Sequence, residues 1–285
     1  MIYCFILFYY TVIKITKHSN HMSFFSSISS SENKEIKILK HILQNPKKND
    51  PFVIVEGLKQ VLEFGKSSYY KLIRWFVDEE IDEREFLYFA DQFVECPIFR
   101  VKASLFSSCS DVYSSQGVIG LFERVYSFED YATFAVHQPT FILDNLQDPG
   151  NMGTLIRTAV AFGRTQIVLV GGVYPESSKV IRSSAGLIAK IKIFSMTLDD
   201  IQKYILSAGG NCIGTAAHGK YVQDFSIDLL SASFLILGNE GQGMSKEWGA
   251  FSLKYVSLPM AVGVESLNVS VVGGVLSYLC WGSSI

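Results

Sequence analysis

Six short apolar runs punctuate the second half of this chain: Phe141–Leu143, Gln166–Val170, Ile191–Phe194, Cys212–Thr215, Phe234–Leu237 and Tyr255–Leu258. Between most of them lie windows of helical period, Thr154–Phe162, Val180–Leu187 and Leu198–Leu206. Continuous apolar strands alternating with helices predict an α/β fold whose parallel sheet is covered on both faces. In such a sheet ligands gather at the carboxyl ends of the strands, so the residues that follow each run are the informative ones.

The first half is organised differently. Helical spacing over Glu35–Leu43 ends at Asn45-Pro46, Phe52–Val55 is a short strand, and Gly57–Phe64 returns to helical spacing. Shorter pieces alternate as far as Val118–Leu121. Residues 31–131 are therefore expected to form a small α/β domain, Phe128–Pro139 a connection, and residues 140–285 the second domain. Residues 1–30 are expected to be a disordered or mis-assigned extension. The apolar run Ile2–Ile15 is too short to span a bilayer and is interrupted by Thr11 and Lys14. It has neither the preceding positive charge nor the following small residues of a secretory signal. The serine-rich stretch Ser23–Ser31 follows Met22, which fits a mobile tail and translation beginning at Met22.

Composition narrows the function classes. With 25 basic and 27 acidic side chains the formal net charge is −2, nearly balanced in both halves, so any contact with a polyanion comes from a local patch. The five cysteines (Cys4, Cys96, Cys109, Cys212, Cys280) form no C-x-x-C pair and no zinc-ligand spacing. We expect buried thiols in a reducing, cytoplasmic setting, and no metal.

After the first apolar run comes Asp144-Asn-Leu-Gln-Asp-Pro-Gly-Asn-Met-Gly-Thr-Leu-Ile-Arg157. Asp148-Pro-Gly is a turn, Asn151 suits the cap of the next helix, Gly163 closes that helix, and Arg157 lies off its apolar stripe. Taken alone, Arg157 is a solvated charge and Asn151 only a cap. After Phe234–Leu237 comes Gly238-Asn-Glu-Gly-Gln-Gly-Met-Ser245, whose glycines permit close approach of a ligand. The spacing matches neither the phosphate loop nor the dinucleotide pattern, and Glu240 would repel phosphates, so the loop suits a ligand with positive charge. After Tyr255–Leu258 comes Pro259-Met-Ala-Val-Gly-Val-Glu-Ser-Leu-Asn-Val-Ser270, with Glu265, Ser266, Asn268 and Ser270 set in an apolar stretch. The remainder to Trp281 carries both strand and helix signals, and in a helix Gly273 and Ser277 would share one closely packed face.

These three segments, in this order, resemble the signature motifs of the SpoU/TrmH branch of the SPOUT RNA methyltransferases. The matches are Asp148-Pro-Gly-Asn-Met-Gly with Arg157 and Phe162-Gly163, then Leu237-Gly-Asn-Glu-Gly-Gln-Gly-Met-Ser, then Leu258-Pro-Met with Val264-Glu-Ser-Leu-Asn-Val-Ser. The resemblance implies a C-terminal parallel-sheet domain with a deep trefoil knot, a bent S-adenosyl-L-methionine, and a homodimer. It implies transfer of a methyl group to a ribose 2′-hydroxyl of structured RNA, not DNA and not at a membrane. Carried onto matching positions, the catalytic set falls on Asn151, Arg157, Glu240, Ser266 and Asn268, and the cofactor contacts on Gly238, Gly241, Leu258, Met260 and Leu267. Arg157 would act as base or stabilise the developing alkoxide, Asn151, Ser266 and Asn268 would orient the ribose, and Glu240 would order its loop or favour the cofactor's positive end. One departure stands out: Val262 occupies a position that is generally glycine in the family, and a positive φ there would be costly for valine. The first half resembles, through Phe52-Val-Ile-Val-Glu-Gly-Leu-Lys-Gln-Val-Leu and Gln116-Gly-Val-Ile-Gly, the small RNA-binding domain that precedes many family members, with Lys59, Lys66 and Lys71 available to phosphates. Ribosomal RNA is the favoured substrate and transfer RNA the alternative. The rivals are a methyltransferase acting on a base or a protein and a non-catalytic RNA-binding protein that keeps the fold.

Overall fold

The computed structural model describes residues 25–46, 51–90, 96–110, 116–209, 212–221, 234–251 and 254–281. Cys4, the apolar run at 2–15 and Met22 lie outside the described residues. In chain order the first half holds β1 (Phe25–Ile28), α1 (Lys34–Gln44), β2 (Phe52–Glu56), α2 (Leu58–Gly65), β3 (Tyr70–Asp78), α3 (Glu83–Ala90), β4 (Ile98–Val101), α4 (Ala103–Ser107) and β5 (Val118–Arg124). The second half holds β6 (Thr140–Asp144), α5 (Pro149–Ala161), β7 (Gln166–Val170), α6 (Ser178–Ser183), β8 (Lys192–Ser195), α7 (Leu198–Ala208), β9 (Cys212–Tyr221), β10 (Phe234–Leu237), β11 (Lys254–Ser257) and α8 (Val269–Trp281). Among the described residues, no helix is long and apolar enough to cross a membrane.

The first sheet has the order β1-β4-β3-β5-β2, parallel across β1, β4 and β3 and antiparallel across β3, β5 and β2. Helix α1 covers one face, its Ile36, Leu39 and Ile42 buried at helical spacing and its start capped by Asn33, whose Oδ1 accepts the Glu35 N–H at 2.8 Å. Phe25–Ile28, expected to belong to a mobile tail, is instead an edge strand in register with Ile98–Val101, and Ile28 is buried. Serines are tolerated at such an edge because backbone pairing, not side-chain burial, holds it.

The second sheet has the order β11-β9-β10-β6-β7-β8 and every pairing in it is parallel. Both faces are dry. Phe141 and Leu143 of β6 and Leu235 and Leu237 of β10 enter one apolar cluster, while Ile142, Phe234 and Ile236 enter the cluster on the opposite face. This is why the strands carry unbroken apolar runs. The ambiguous C-terminal stretch is helix α8. Gly273 explains the choice, since a Cβ there would lie 2.3 Å from Leu155 Cδ2 of α5 and 3.1 Å from Leu237 Cδ1, so helix and sheet meet through a glycine. Burial raises the pKa of the Cys109 thiol and pushes those of Cys212 and Cys280 up to about 12, which fits small hydrophobes rather than nucleophiles.

The connection between the sheets is packed. Gln166 Nε2 donates to Ala135 O at 2.8 Å while its Oε1 accepts the Ala135 N–H at 3.1 Å, and Phe128 and Phe134 are buried. Beside it Arg124, the last residue of β5, reaches Glu176 across the joint at 2.6 Å with both side chains 1% exposed. Arg124 also donates to Tyr126 O at 2.9 Å and stacks 3.7 Å above the Phe128 ring centroid. The hydroxyls of Tyr70 and Tyr174 each donate to Glu176 at 2.8 Å. Burial first, and the neighbouring carboxylate second, raise both phenols well above their ordinary pKa, so they remain donors. Removing one member leaves a buried charge unmatched, which costs about 3–5 kcal/mol, whereas replacing both with apolar groups is far less damaging. Urea unfolding should therefore show Glu176→Ala and Arg124→Ala each severely destabilised, and Arg124→Met/Glu176→Leu, which leaves two tyrosine hydroxyls without their acceptor but no charge unmatched, destabilised by less than the sum of the two. Additive losses in the double variant would contradict this.

Candidate active site

The order of the second sheet reverses at β6. The chain runs outward from β6 to β7 and β8, then returns so that β10 lies on the other side of β6. The loops leaving the carboxyl ends of β6 and β10 are thus neighbours, the place where open parallel sheets form ligand crevices.

Local chemistry shapes each loop. Asn145 leaves β6 with φ 54°, a left-handed conformation that asparagine tolerates, and its carbonyl accepts the Asn239 side-chain amide at 2.9 Å. The chain then turns into α5. Its N-cap is Asp148, whose Oδ2 accepts the Asn151 N–H at 3.0 Å, with Pro149 next. Asn151, expected as the cap, is a residue inside the first turn with its side chain turned into the crevice, because Asp-Pro starts the helix three residues earlier. At the far end Gly163 N bonds Val160 O at 3.0 Å and Arg164 N bonds Ala159 O at 2.9 Å, the Schellman pattern around Gly163 at φ 71°.

The second loop folds onto itself. Asn239 and Gly243 exchange two backbone bonds of 2.9 Å, and Asn239 Oδ1 accepts the Gly241 and Gln242 N–H groups at 2.9 Å each. Gly238 lies so close to the returning strand that a Cβ would sit 2.3 Å from Met244 N. Asp144 anchors the loop. Its buried carboxylate accepts the Ser245 N–H at 2.6 Å, the Ser245 hydroxyl at 2.8 Å and the Trp248 indole N–H at 3.1 Å. Neither Asp144 nor Asn239 stood out in the sequence. The available signal was a charge ending the run Phe141-Ile-Leu-Asp144, which inside a covered sheet demands partners.

Three of the expected catalytic residues meet. Glu240 Oε1 accepts the Asn151 side-chain amide at 3.0 Å, and the carboxylate also lies 3.3 Å from each of the Gln147 and Asp148 backbone nitrogens. Asn151 Oδ1 accepts the Asn268 amide at 2.9 Å. Asn268 in turn starts α8, its Oδ1 accepting Ser270 N–H at 2.8 Å and the Ser270 hydroxyl at 2.6 Å. The Glu240 charge therefore faces the amino end of α5, where a helix favours an anion, rather than an open ligand site.

The other expected residues are not drawn into this cluster. Arg157 is exposed on α5 and makes no hydrogen bond or ion pair within the described residues. Ser266, Leu267 and Gly241 are exposed, Met260 is half-buried, and Leu258 packs against the main core. Val262 is fully exposed, and the positive φ of its loop falls on Gly263, at 89°. The strain considered for Val262 does not arise.

Burial alone would raise the Glu240 pKa, but the Asn151 amide and the backbone N–H groups outweigh it and hold the carboxyl below its ordinary 4.5. A lowered folded-state pKa contributes stability that is complete above the unfolded value and is lost as pH falls through the folded one. Glu240→Gln should therefore be less stable than wild type at pH 6, and the two should converge as the pH drops below about 4. Parallel urea midpoints from pH 6 to 3 would contradict the assignment.

Comparison with known proteins agrees with this geometry. The SpoU rRNA Methylase family profile matches residues 138–278. An uncharacterized tRNA/rRNA methyltransferase of Synechocystis is 38% identical over 141 residues, 48% of this chain and 50% of that protein. One from Mycolicibacterium gilvum is 36% identical over 136 residues, 47% of this chain and 43% of that protein. The matched segment thus spans about half the length of these relatives. Among solved structures, an AdoMet-bound rRNA methyltransferase from Sinorhizobium meliloti superposes with a TM-score of 0.79 at 23% identity, covering 92% of this chain and all of that one. An AdoMet-bound SpoU methyltransferase from Streptomyces viridochromogenes gives 0.74 at 21% identity, covering 88% and 99%. These structural likenesses show a shared α/β fold that extends over both halves. The segment 138–278 is thus a SpoU rRNA methylase family domain.

Proposed function

We propose that this chain transfers the methyl group of S-adenosyl-L-methionine to a ribose 2′-hydroxyl of structured RNA, ribosomal RNA in preference to transfer RNA. The observation that carries the reading is the bonded set Glu240–Asn151–Asn268, built at the sheet's reversal by the three segments that resemble the family motifs. The RNA preference rests on the separate sheet of the first half, and the reducing, cytoplasmic setting on the thiols.

The residues present fit the cofactor. Gly238 is a position where any side chain would clash with the Met244 backbone, and the 258–268 segment leaves Leu267 and Val264 40% and 48% exposed. Backbone at Gly238 and Gly241 with Leu258, Met260 and Leu267 would hold it, apolar side chains against its adenine. When bound, it supplies an electrophilic methyl group on a sulfonium. The chain's part is positioning, which is worth roughly 7–11 kcal/mol in well-oriented reactions, and management of the hydroxyl proton. Arg157 would stabilise the developing alkoxide, since a guanidinium keeps its proton and is a poor base. Asn151, Asn268 and Ser266 would orient the ribose, with Glu240 ordering the loop.

Two further expectations of the family find support. The knotted path fits an edge strand β11 followed by α8 lying back on α5 and the central strands. A homodimer fits the exposed apolar stripe Val271, Val275, Tyr278 and Leu279 along α8, which needs cover. The Val262 departure does not favour the non-catalytic alternative, since Gly263 takes the positive φ and Val262 does not.

The test is incubation with methyl-labelled S-adenosyl-L-methionine and total RNA lacking the modification, followed by nucleoside analysis. Label in a 2′-O-methylnucleoside is expected, and label in a modified base or in protein would overturn the reading. Arg157→Ala should abolish transfer while leaving cofactor binding by calorimetry unchanged, and full activity in that variant would refute its role.

A further inference from the structure

The chain has a formal charge of −2, yet five cations follow one another along the joint between its two sheets. Lys179 and Arg182 lie one turn apart on α6, Lys190 ends the 3₁₀ turn that follows, and Lys59 and Lys66 face it from α2. The four lysines share two carboxylates. Lys179 Nζ is 3.3 Å from Asp148 with the lysine side chain 61% exposed, and Lys190 Nζ is 2.9 Å from Glu63 with the lysine 49% exposed. Lys59 and Lys66 stand one turn to either side of Glu63 on the same face of α2. The hydrogen bond from Lys190 first, with the charges of Lys190, Lys66 and Lys59, overcomes partial burial and lowers the Glu63 pKa, so three ammonium groups converge on one carboxylate. Exposed pairs of this kind contribute little to stability, so the lysines exchange them readily for other anions.

The spacing of these cations is fixed although they come from both halves. Gly186, at φ 79°, brings the turn before Lys190 so near α2 that a Cβ would sit 3.3 Å from Gln60 Cα. The Ser67 hydroxyl donates to Ala189 O across the same joint, and Arg124–Glu176 lies beneath. The row also has a direction. Its last member, Lys179, pairs with Asp148, the cap of α5 whose own N–H lies 3.3 Å from Glu240. It therefore ends at the cluster described above.

We propose that this joint is the surface on which the phosphate backbone of the RNA substrate lies, Lys59, Lys66 and Lys190 holding phosphates remote from the reacting ribose and Arg182 and Lys179 leading the strand to it. The assignment rests on the RNA reading given under Proposed function and adds the path the RNA takes. Phosphate contacts set register rather than sequence, so this surface would select a distance between a bound helix and the target nucleotide.

The experiment measures binding of a fluorescein-labelled RNA hairpin as a function of salt. Each phosphate contact removed lowers the slope of log affinity against log salt by roughly 0.7–0.9. Lys59→Gln/Lys66→Gln/Lys190→Gln should lose about 2–3 in slope, and KM for RNA should rise on the order of ten- to a hundredfold at 0.15 M salt, with kcat and cofactor affinity retained. Lys59→Gln/Lys66→Gln, which leaves Glu63 its Lys190 partner, should show about two thirds of that slope change. Lys34→Gln/Lys37→Gln/Lys40→Gln, on α1 across the other face of the first sheet, should change nothing. An unchanged slope in the joint variants, or an equal loss in the α1 variant, overturns the surface. Wild type that binds the hairpin with the joint-dependent slope but transfers no methyl group leaves the surface standing and overturns the proposed reaction. Wild type that binds no RNA overturns the surface as well.

Discussion

The buried pair Arg124–Glu176 decides how the two halves of this molecule meet. Burying both charges is costly, and the cost is offset by the partners gathered on each: two tyrosine hydroxyls and a guanidinium on the carboxylate, an aromatic face and a carbonyl on the arginine. Such a set tolerates little displacement, so it fixes geometry more than it adds stability. Glu176 immediately precedes Ser177, whose hydroxyl caps α6, and α6 packs on α5 where Gly153 would place a Cβ 2.7 Å from Val180 O. The orientation of α5, which carries Asn151 and Arg157, is thereby tied to the first sheet. In the proposed reaction a substrate held by one half would meet the other at a set distance.

The crevice itself follows from topology. Because β10 returns beside β6, loops separated by about ninety residues become adjacent, and the third segment joins them through Asn268 at the start of α8. Each loop has its own internal constraint: Asp148 and Pro149 start the helix, Asn239 closes the glycine loop, Asp144 pins that loop's far end, and Asn268 starts α8. The inter-loop bonds then need only short polar side chains, which is why asparagine recurs. A longer side chain at 151 would have to leave the first turn of α5, and an apolar one would leave the Asn268 amide and the Glu240 carboxylate each short of a partner.

The strands of the second half were legible because burial on both faces leaves an unambiguous pattern, and β10 was found with both ends correct. The first helix and the Schellman end of α5 were legible for the same kind of reason, a local signal with a local cause. What escaped depended on distant partners. Phe25–Ile28 becomes a strand only because β4 offers an edge, and α8 is a helix because Gly273 lets it close on Leu155. Asn151 was misread as a cap because two capping residues stand three apart, and only the helix start tells which one is used. The Arg124–Glu176 pair, 52 residues apart, leaves no trace in either segment alone. The site residues came from motif order rather than from periodicity. The structure joins Asn151, Glu240 and Asn268 but leaves Arg157 and Ser266 at the surface of the single chain.

That division bears on the proposed chemistry. Glu240 is the carboxylate that holds the Asn151 amide, and three N–H donors surround it at the amino end of α5, all of which favour its ionised form. Taking a proton would weaken each of those contacts, so it is poorly suited to be the base. Asn151 and Asn268 are neutral amides committed to each other and to their helix starts. Arg157 differs from all of them: its cation has no counter-charge within the described residues and stands on the exposed side of the same helix. In the proposed reaction a polyanionic substrate would approach it without displacing an existing pair, and the guanidinium would meet the growing negative charge on the hydroxyl oxygen at no cost in broken protein contacts. The bonded cluster would then set geometry, and the Arg157 charge would be the one left for the substrate.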